Sequence, residues 1–242
     1  MAAPPGEEDD ALMGAVIRLI RHGQASFGLK DYDDLSETGV RQAEVLGESL
    51  AGRAGDVDLV VSGGMRRHLQ TAEHALKAMG LDLQPQIDER WNEYDHQELI
   101  VRHKPSYRSK TVMAADLTRR GDPRRAFQLM FDEALDRWTA GGNDADYAEP
   151  WSEFVDRANA GLAALTDEAA QAKNVLVFTS GGPVTAVTAR LLGLGAEGWR
   201  KLNGVCANAS ETKIVAGRSG VSLVSFNGHA HFDHDRELLT YR

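Results

Sequence analysis

Three short stretches carry residue types that together suit the handling of a phosphate group. The first is Arg21-His22-Gly23, directly after the apolar run Val16-Ile-Arg-Leu-Ile20. A neutral imidazole attacks phosphorus well, a guanidinium grips phosphate oxygens two at a time, and glycine permits close backbone approach. The second is Ser62-Gly-Gly-Met-Arg66-Arg67, where two arginines open a helix after a strand and share its edge with free backbone amides. The third, Thr179-Ser180-Gly181-Gly182-Pro183, follows the apolar run Val175-Leu-Val-Phe178. In open α/β sheets ligands gather at the carboxyl ends of strands, so three such ends outline one candidate site. Each stretch alone also reads as ordinary surface, a loop histidine or a solvated helix start.

The intervening pattern supplies the elements that must position them. Val16–Ile20 reads as a buried strand. Ser36 and Thr38 both suit the cap of a helix whose apolar face is Val40, Ala43, Leu46 and Leu50, with Gly52 and Gly55 ending it. Residues 58–62 form a second strand. A helix from Met65 to Met79 follows, with Met65, Leu69, Ala72, Leu76 and Met79 on one face, and 81–87 suggest a third strand. From Glu89 to about Pro150 the strand pattern vanishes, and Phe127, Met130, Phe131, Leu135 and Trp138 fall at helical spacing. This stretch reads as a helical insertion or lid over about 96–150. A long helix from Trp151 to about Ala172 precedes the central strand Val175–Phe178. Pro183 suits the first position of a helix reaching Leu192. Residues 214–216 and 221–226 close the chain as a hairpin. The expected fold is a three-layer α/β/α sandwich around a mostly parallel sheet. It forms one domain over 14–242, behind a disordered acidic tail, 1–13.

Composition narrows the function classes. The 242 residues are 42% hydrophobic and 26% charged, which argues against disorder and fibrous repeats. No stretch approaches the ~20 apolar residues of a membrane helix. The net charge of −9 argues against nucleic acid and anionic membranes as partners. A lone cysteine, Cys206, forms no internal disulfide and no cysteine-rich metal site. A cytoplasmic protein is expected, and a homodimer is left open. One segment departs from the average. Between Gln97 and Arg125 eight Lys/Arg face three acids, a patch that either steers anions or is simply solvated. Near the end, His229-Ala-His231-Phe-Asp233-His234 matches the zinc-binding string of metallo-β-lactamase-like hydrolases. There the string sits early with further ligands downstream, whereas no histidine follows His234 here, so no metal is expected.

The order of these motifs resembles the histidine phosphatase superfamily, in its phosphoglycerate-mutase-like branch. The matching runs are Arg21-His22-Gly23-Gln24, Leu35-Ser36-x-x-Gly39-x-x-Gln42-Ala43, Arg67-x-x-Gln70-Thr71-Ala72, Asn92-Glu93-x-Asp95 and Ser225-Phe226-Asn227. They cover roughly 15–95 and 174–231. The resemblance implies hydrolysis of a phosphate monoester on a small phosphorylated substrate, without cofactor. In it His22 is the nucleophile that becomes phosphohistidine. Arg21 and Arg67 form the phosphate clamp, Arg66 assisting. Glu93, or second Glu89, is the general acid. His231 takes the place of a late family histidine. Substrate selectivity is expected in the unmatched middle.

The resemblance breaks at Ser180, which stands where the family carries a second histidine before Gly181-Gly182; a smaller departure is Gly63, where serine is usual. A serine gives one neutral hydrogen bond, about 0.5–1.5 kcal/mol, against about 1.5–3 for a charged donor. That difference costs about tenfold or more in rate. The residues therefore support an altered histidine acid phosphatase-like phosphomonoesterase in which Ser180 and Gly181 still bind phosphate, or else a non-catalytic phospho-ligand-binding module. A mutase is disfavoured by Gln24-Ala-Ser-Phe27, which lacks the Glu-Ser-x-Trp-Asn run of glycolytic mutases.

Overall fold

Six strands form one sheet in the order β3-β2-β4-β1-β5-β6 within a computed structural model that describes residues 14–26, 33–168 and 172–241. The expected tail, 1–13, lies outside the described residues. β1 (Ala15–Arg21), β2 (Leu59–Ser62) and β4 (Asn174–Thr179) are central, and they run parallel. β3 is only Gln86–Ile87, parallel to β2. Residues 81–85, expected as strand, are irregular because they lack a continuous apolar run. β5 (Glu211–Gly217) pairs antiparallel with β1 and with β6 (Gly220–Gly228), which is the expected hairpin.

Burial on both faces explains the near-continuous apolar strands. Ile20, Val60, Leu176 and Phe178 pack with α1 (Glu37–Ala51) and α2 (Arg66–Ala78) through Leu46, Leu50, Ala72, Ala75 and Leu76. The alternate residues Ile17, Leu19, Val61, Val175 and Val177 are equally buried, so they face a second covering layer. This is the three-layer arrangement expected. Ser36, not Thr38, caps α1: its Oγ accepts from the Gly39 amide at 3.1 Å. Thr38 already lies inside the helix.

The described chain divides into two compact units, one of residues up to Glu93 and from Arg157 on, the other Tyr94–Asp156. The second contains α3 (His96–His103), α4 (Lys110–Arg119) and α5 (Pro123–Thr139) around Ile100, Tyr107 and Met130. Tyr94, Trp138, Trp151 and Phe154 form an aromatic cluster within it. The acids of its basic segment are engaged locally: Glu98 pairs with Arg102, Asp116 with Lys104, and Asp122 caps α5. α6 (Trp151–Glu168) leads back to β4. α7 (Gly181–Leu191) begins two residues before Pro183, so the proline occupies the third helical position rather than the first. α8 (Ala196–Val205) precedes β5.

The loop after β1 is held by a contact that only glycine allows. A Cβ on Gly39 would lie 2.1 Å from the Gln24 carbonyl oxygen, and one on Gly23 would lie 2.4 Å from that of Gly39. Gly39→Ala is therefore expected to cost several times the ~1 kcal/mol that Ser36→Ala costs as a lost cap. Chemical denaturation of the two variants checks the ranking, and equal losses would show that the backbone contact is dispensable.

Candidate active site

Register alone brings the three chemical stretches together. Arg21 pairs with Thr179 and Ser62 with Phe178, so the strands end at one level. The ladders continue past them: the His22 amide donates to the Thr179 carbonyl at 2.8 Å and the Gly63 amide to that of Phe178 at 3.0 Å. His22, Gly63 and Ser180 thus leave adjacent strands side by side.

His22 is 7% exposed. Its Nδ1 is 2.6 Å from the Gly23 carbonyl oxygen, which only accepts, so Nδ1 carries the proton and Nε2 the lone pair. Arg67 agrees with that tautomer, donating from Nε to His22 Nε2 at 3.2 Å. Burial, then the charges of Arg67, Arg21 and His68, hold the imidazole well below its ordinary pKa. The result is a neutral, aimed nitrogen beside a guanidinium.

The small motif residues position this loop. Thr71 Oγ1 accepts from the Gly23 amide at 3.0 Å, Gln42 Oε1 from that of Gln24 at 2.7 Å, and Gln70 Oε1 from that of Leu35 at 2.8 Å. Arg21 turns away along the backbone, its Nη1 donating to the carbonyls of Cys206 and Tyr241. Its Nε stays close enough to Gly181 that a Cβ there would lie 3.4 Å away. Asn227, at φ 57, bonds Ala207 N–H and the Val205 carbonyl through its side chain, closing the loop that offers Cys206 to Arg21.

Glu93 reaches the N-terminus of α7, where its Oε2 accepts from the Gly182 amide at 3.2 Å. Glu89, the second choice, is exposed in the short helix Glu89–Trp91. Its neighbourhood is pinned by Arg157, which donates to the carbonyls of Arg90 and Asn92 at 2.9 Å each, and by Asn92 Oδ1, which accepts from the Gly64 amide. Asp95 of the same motif caps α3.

Two features were invisible in the motif order. Asp33 pairs with Arg67 Nη1 at 2.5 Å, and Asp34 with Arg66 at 2.6 Å, so carboxylates occupy both arginines of α2. His68 is buried 5.7 Å from His22, ring centre to ring centre, with its Nε2 2.6 Å from Ser180 Oγ. The available signal was its position, inside the Arg67-x-x-Gln70 run where the motif leaves residues unspecified. The late histidines serve the fold. His231 bonds the Ala209 carbonyl, and burial lowers its pKa to about 4; His229 Nδ1 lies 2.6 Å from the Asn227 carbonyl, and His234 is exposed. No metal-binding cluster occurs among the described residues, and no described helix is long and apolar enough to cross a membrane.

Residues 17–229 match the family model of the histidine phosphatase superfamily (branch 1). A 2,3-bisphosphoglycerate-dependent phosphoglycerate mutase of Mesorhizobium japonicum is 31% identical over 105 residues, 40% of this chain and 51% of the relative; the match thus spans about half the relative's length. Among solved structures, phosphoglycerate mutase of Bacillus anthracis superposes with TM-score 0.64 at 21% identity, covering 93% of this chain and 98% of that one. Phosphoserine phosphatase of Entamoeba histolytica superposes with TM-score 0.62 at 17% identity, covering 90% and 98%.

Two outcomes follow from this electrostatic arrangement. Unfolded imidazoles protonate near pH 6.5, whereas folded His22 and His68 sit well below that and His231 near 4. The unfolded state therefore binds more protons, so stability is full above about pH 6.5 and falls toward pH 4, by about 1.4 kcal/mol per pH unit for each such group. Melting temperatures between pH 7.5 and 5 should show this, with a smaller slope in His231→Gln. Separately, Asp33→Asn frees Arg67 and should tighten inorganic phosphate binding about threefold to fivefold, the scale of a partly exposed ion pair. Calorimetry showing no change would mean that Asp33 does not compete for the arginine.

Proposed function

The chain belongs to the histidine phosphatase superfamily (branch 1), and from that premise we propose that it is a phosphohydrolase that cleaves a small phosphate monoester through a phosphohistidine at His22. The observation that carries this reading is the fixed tautomer: Nδ1–H on the Gly23 carbonyl, with the Nε2 lone pair facing Arg67. As the phosphate oxygens draw the Arg67 Nε–H away from His22 Nε2, that nitrogen attacks phosphorus; the P–O ester bond breaks, and its electron pair leaves with the alkoxide oxygen, which takes a proton from Glu93. Water then attacks phosphorus, Glu93 accepts the water's proton, and the N–P pair returns to His22 as inorganic phosphate departs. Arg67, the Gly181 amide and the start of α7 stabilise the equatorial oxygens, while the Gly182 amide holds Glu93. Arg21 adds positive charge from one side while its Nη1 remains on backbone carbonyls. No step calls for a metal.

One observation favours a second reading, a phospho-ligand-binding module without turnover. Arg21 and Arg67 are both already engaged, by carbonyls and by Asp33. Phosphate release from an aryl phosphate and a panel of phospho-metabolites, with chelator present, separates the two. In the hydrolase, His22→Ala abolishes turnover and Glu93→Gln lowers kcat by about a hundredfold or more with little change in KM. Acid-labile radiolabel trapped on wild type but not on His22→Ala marks the intermediate. Phosphate binding with no release from any compound would establish the binding module instead.

A further inference from the structure

His68 lies in the first turn of α2, next to Arg67, and is fully buried together with Ser180. Two departures from the expected motif, Ser180 and Gly63, converge on it. The short Ser180 side chain leaves space at the end of β4 and meets His68 Nε2 with its Oγ at 2.6 Å. Gly63 leaves space at the end of β2, where a Cβ would come within 2.4 Å of His68 Nδ1. His68 itself fills the gap. A buried imidazole beside a guanidinium and another imidazole, 5.7 Å away and tilted by 34°, is a poor way to stabilise a core, which an apolar side chain of that size does better. Its placement makes physical sense when an anion arrives. A phosphoryl group formed on His22 brings its negative charge to within this short separation of the His68–Ser180 pair.

We propose that His68 is a second catalytic imidazole, seated by Ser180 and Gly63, which bears the positive charge that balances the phosphoryl group as it moves to and from His22. The inference rests on the reading of His22 as phosphoryl acceptor. The titratable or charged groups that face His68 are Arg67 on its own helix and His22 from the end of β1. Burial and then Arg67 oppose its protonation, while the Gly63 backbone works the other way. A phosphate dianion reverses the balance: His68 takes a proton from solvent as the anion enters and returns it when phosphate leaves. The transfer itself moves only the electron pairs and the Glu93 proton described above. Ser180 is a positioning residue, its hydroxyl holding the ring.

The test combines kinetics with a readout independent of turnover. On an aryl phosphate, His68→Ala should lower kcat about a hundredfold with KM within about threefold, the loss typical of one fixed donor to a developing charge. His68→Gln keeps a neutral donor toward Ser180 without the charge, and should fall similarly while remaining folded. His68→Ala/Ser180→His returns an imidazole to the same space from β4 and should recover at least about a tenth of the wild-type kcat. In 15N-histidine NMR of the wild type, inorganic phosphate should raise the pKa of the His68 ring. A kcat within about threefold of wild type in both His68 variants, with a His68 resonance indifferent to phosphate, would overturn the proposal and leave the hydrolase reading standing. A wild type without turnover whose His68 resonance still responds to phosphate would defeat the hydrolase reading instead and support charge balancing in a binding site.

Discussion

His22 is buried at the end of β1 with Arg21 and Arg67 close by, and burial and neighbouring cations both oppose its protonation. The imidazole is therefore held neutral, with a lone pair on Nε2 that accepts from Arg67. The Gly23 carbonyl then decides which nitrogen keeps the proton. Most of the surrounding structure serves these two requirements. The loop is held by Thr71 and Gln42, and the close meeting of Gly23 with Gly39 holds it against the start of α1. Each is a modest interaction, but together they leave the imidazole one orientation.

The sheet supplies the alignment. Parallel pairing of β1, β4 and β2 ends three strands at one level, and backbone hydrogen bonds extend past those ends to His22 and Gly63. Elsewhere on β1, buried Arg18 and exposed Arg53 share the buried Glu211 carboxylate, and the Arg18–Glu211 pair ties β1 to β5. The polar groups of this core are thus concentrated where they fix register or face the site, and apolar packing by α1 and α2 covers one face of the sheet.

The replacement at Ser180 looks different once the coordinates are considered. Read along the chain, it is a loss of an imidazole. In space an imidazole is present within hydrogen-bond distance of Ser180, carried by a different element, with Gly63 making room for it. The departures at positions 63 and 180 meet at His68 in one coherent local arrangement. The clamp shows the reverse effect: Arg67 faces His22 as the motif implies, yet Asp33 competes for its other nitrogen and backbone carbonyls hold Arg21.

The strands, the helices α1 and α2 and the closing hairpin were legible because apolar periodicity and turn residues are local signals. The misses were also local: the third strand is shorter than expected and Pro183 sits at the third helical position, while the choice between Ser36 and Thr38 as cap needed the structure. By itself the sequence determined which residue types stand at each strand end, and with them the resemblance to the superfamily. Only the tertiary structure decided which groups meet there. His68 and Ser180 are 112 positions apart and Arg67 and Asp33 are 34 apart, so their contacts depend on strand register and helix packing. No local pattern encodes a distance across the sheet, and a side chain's charge state follows from that distance and its burial.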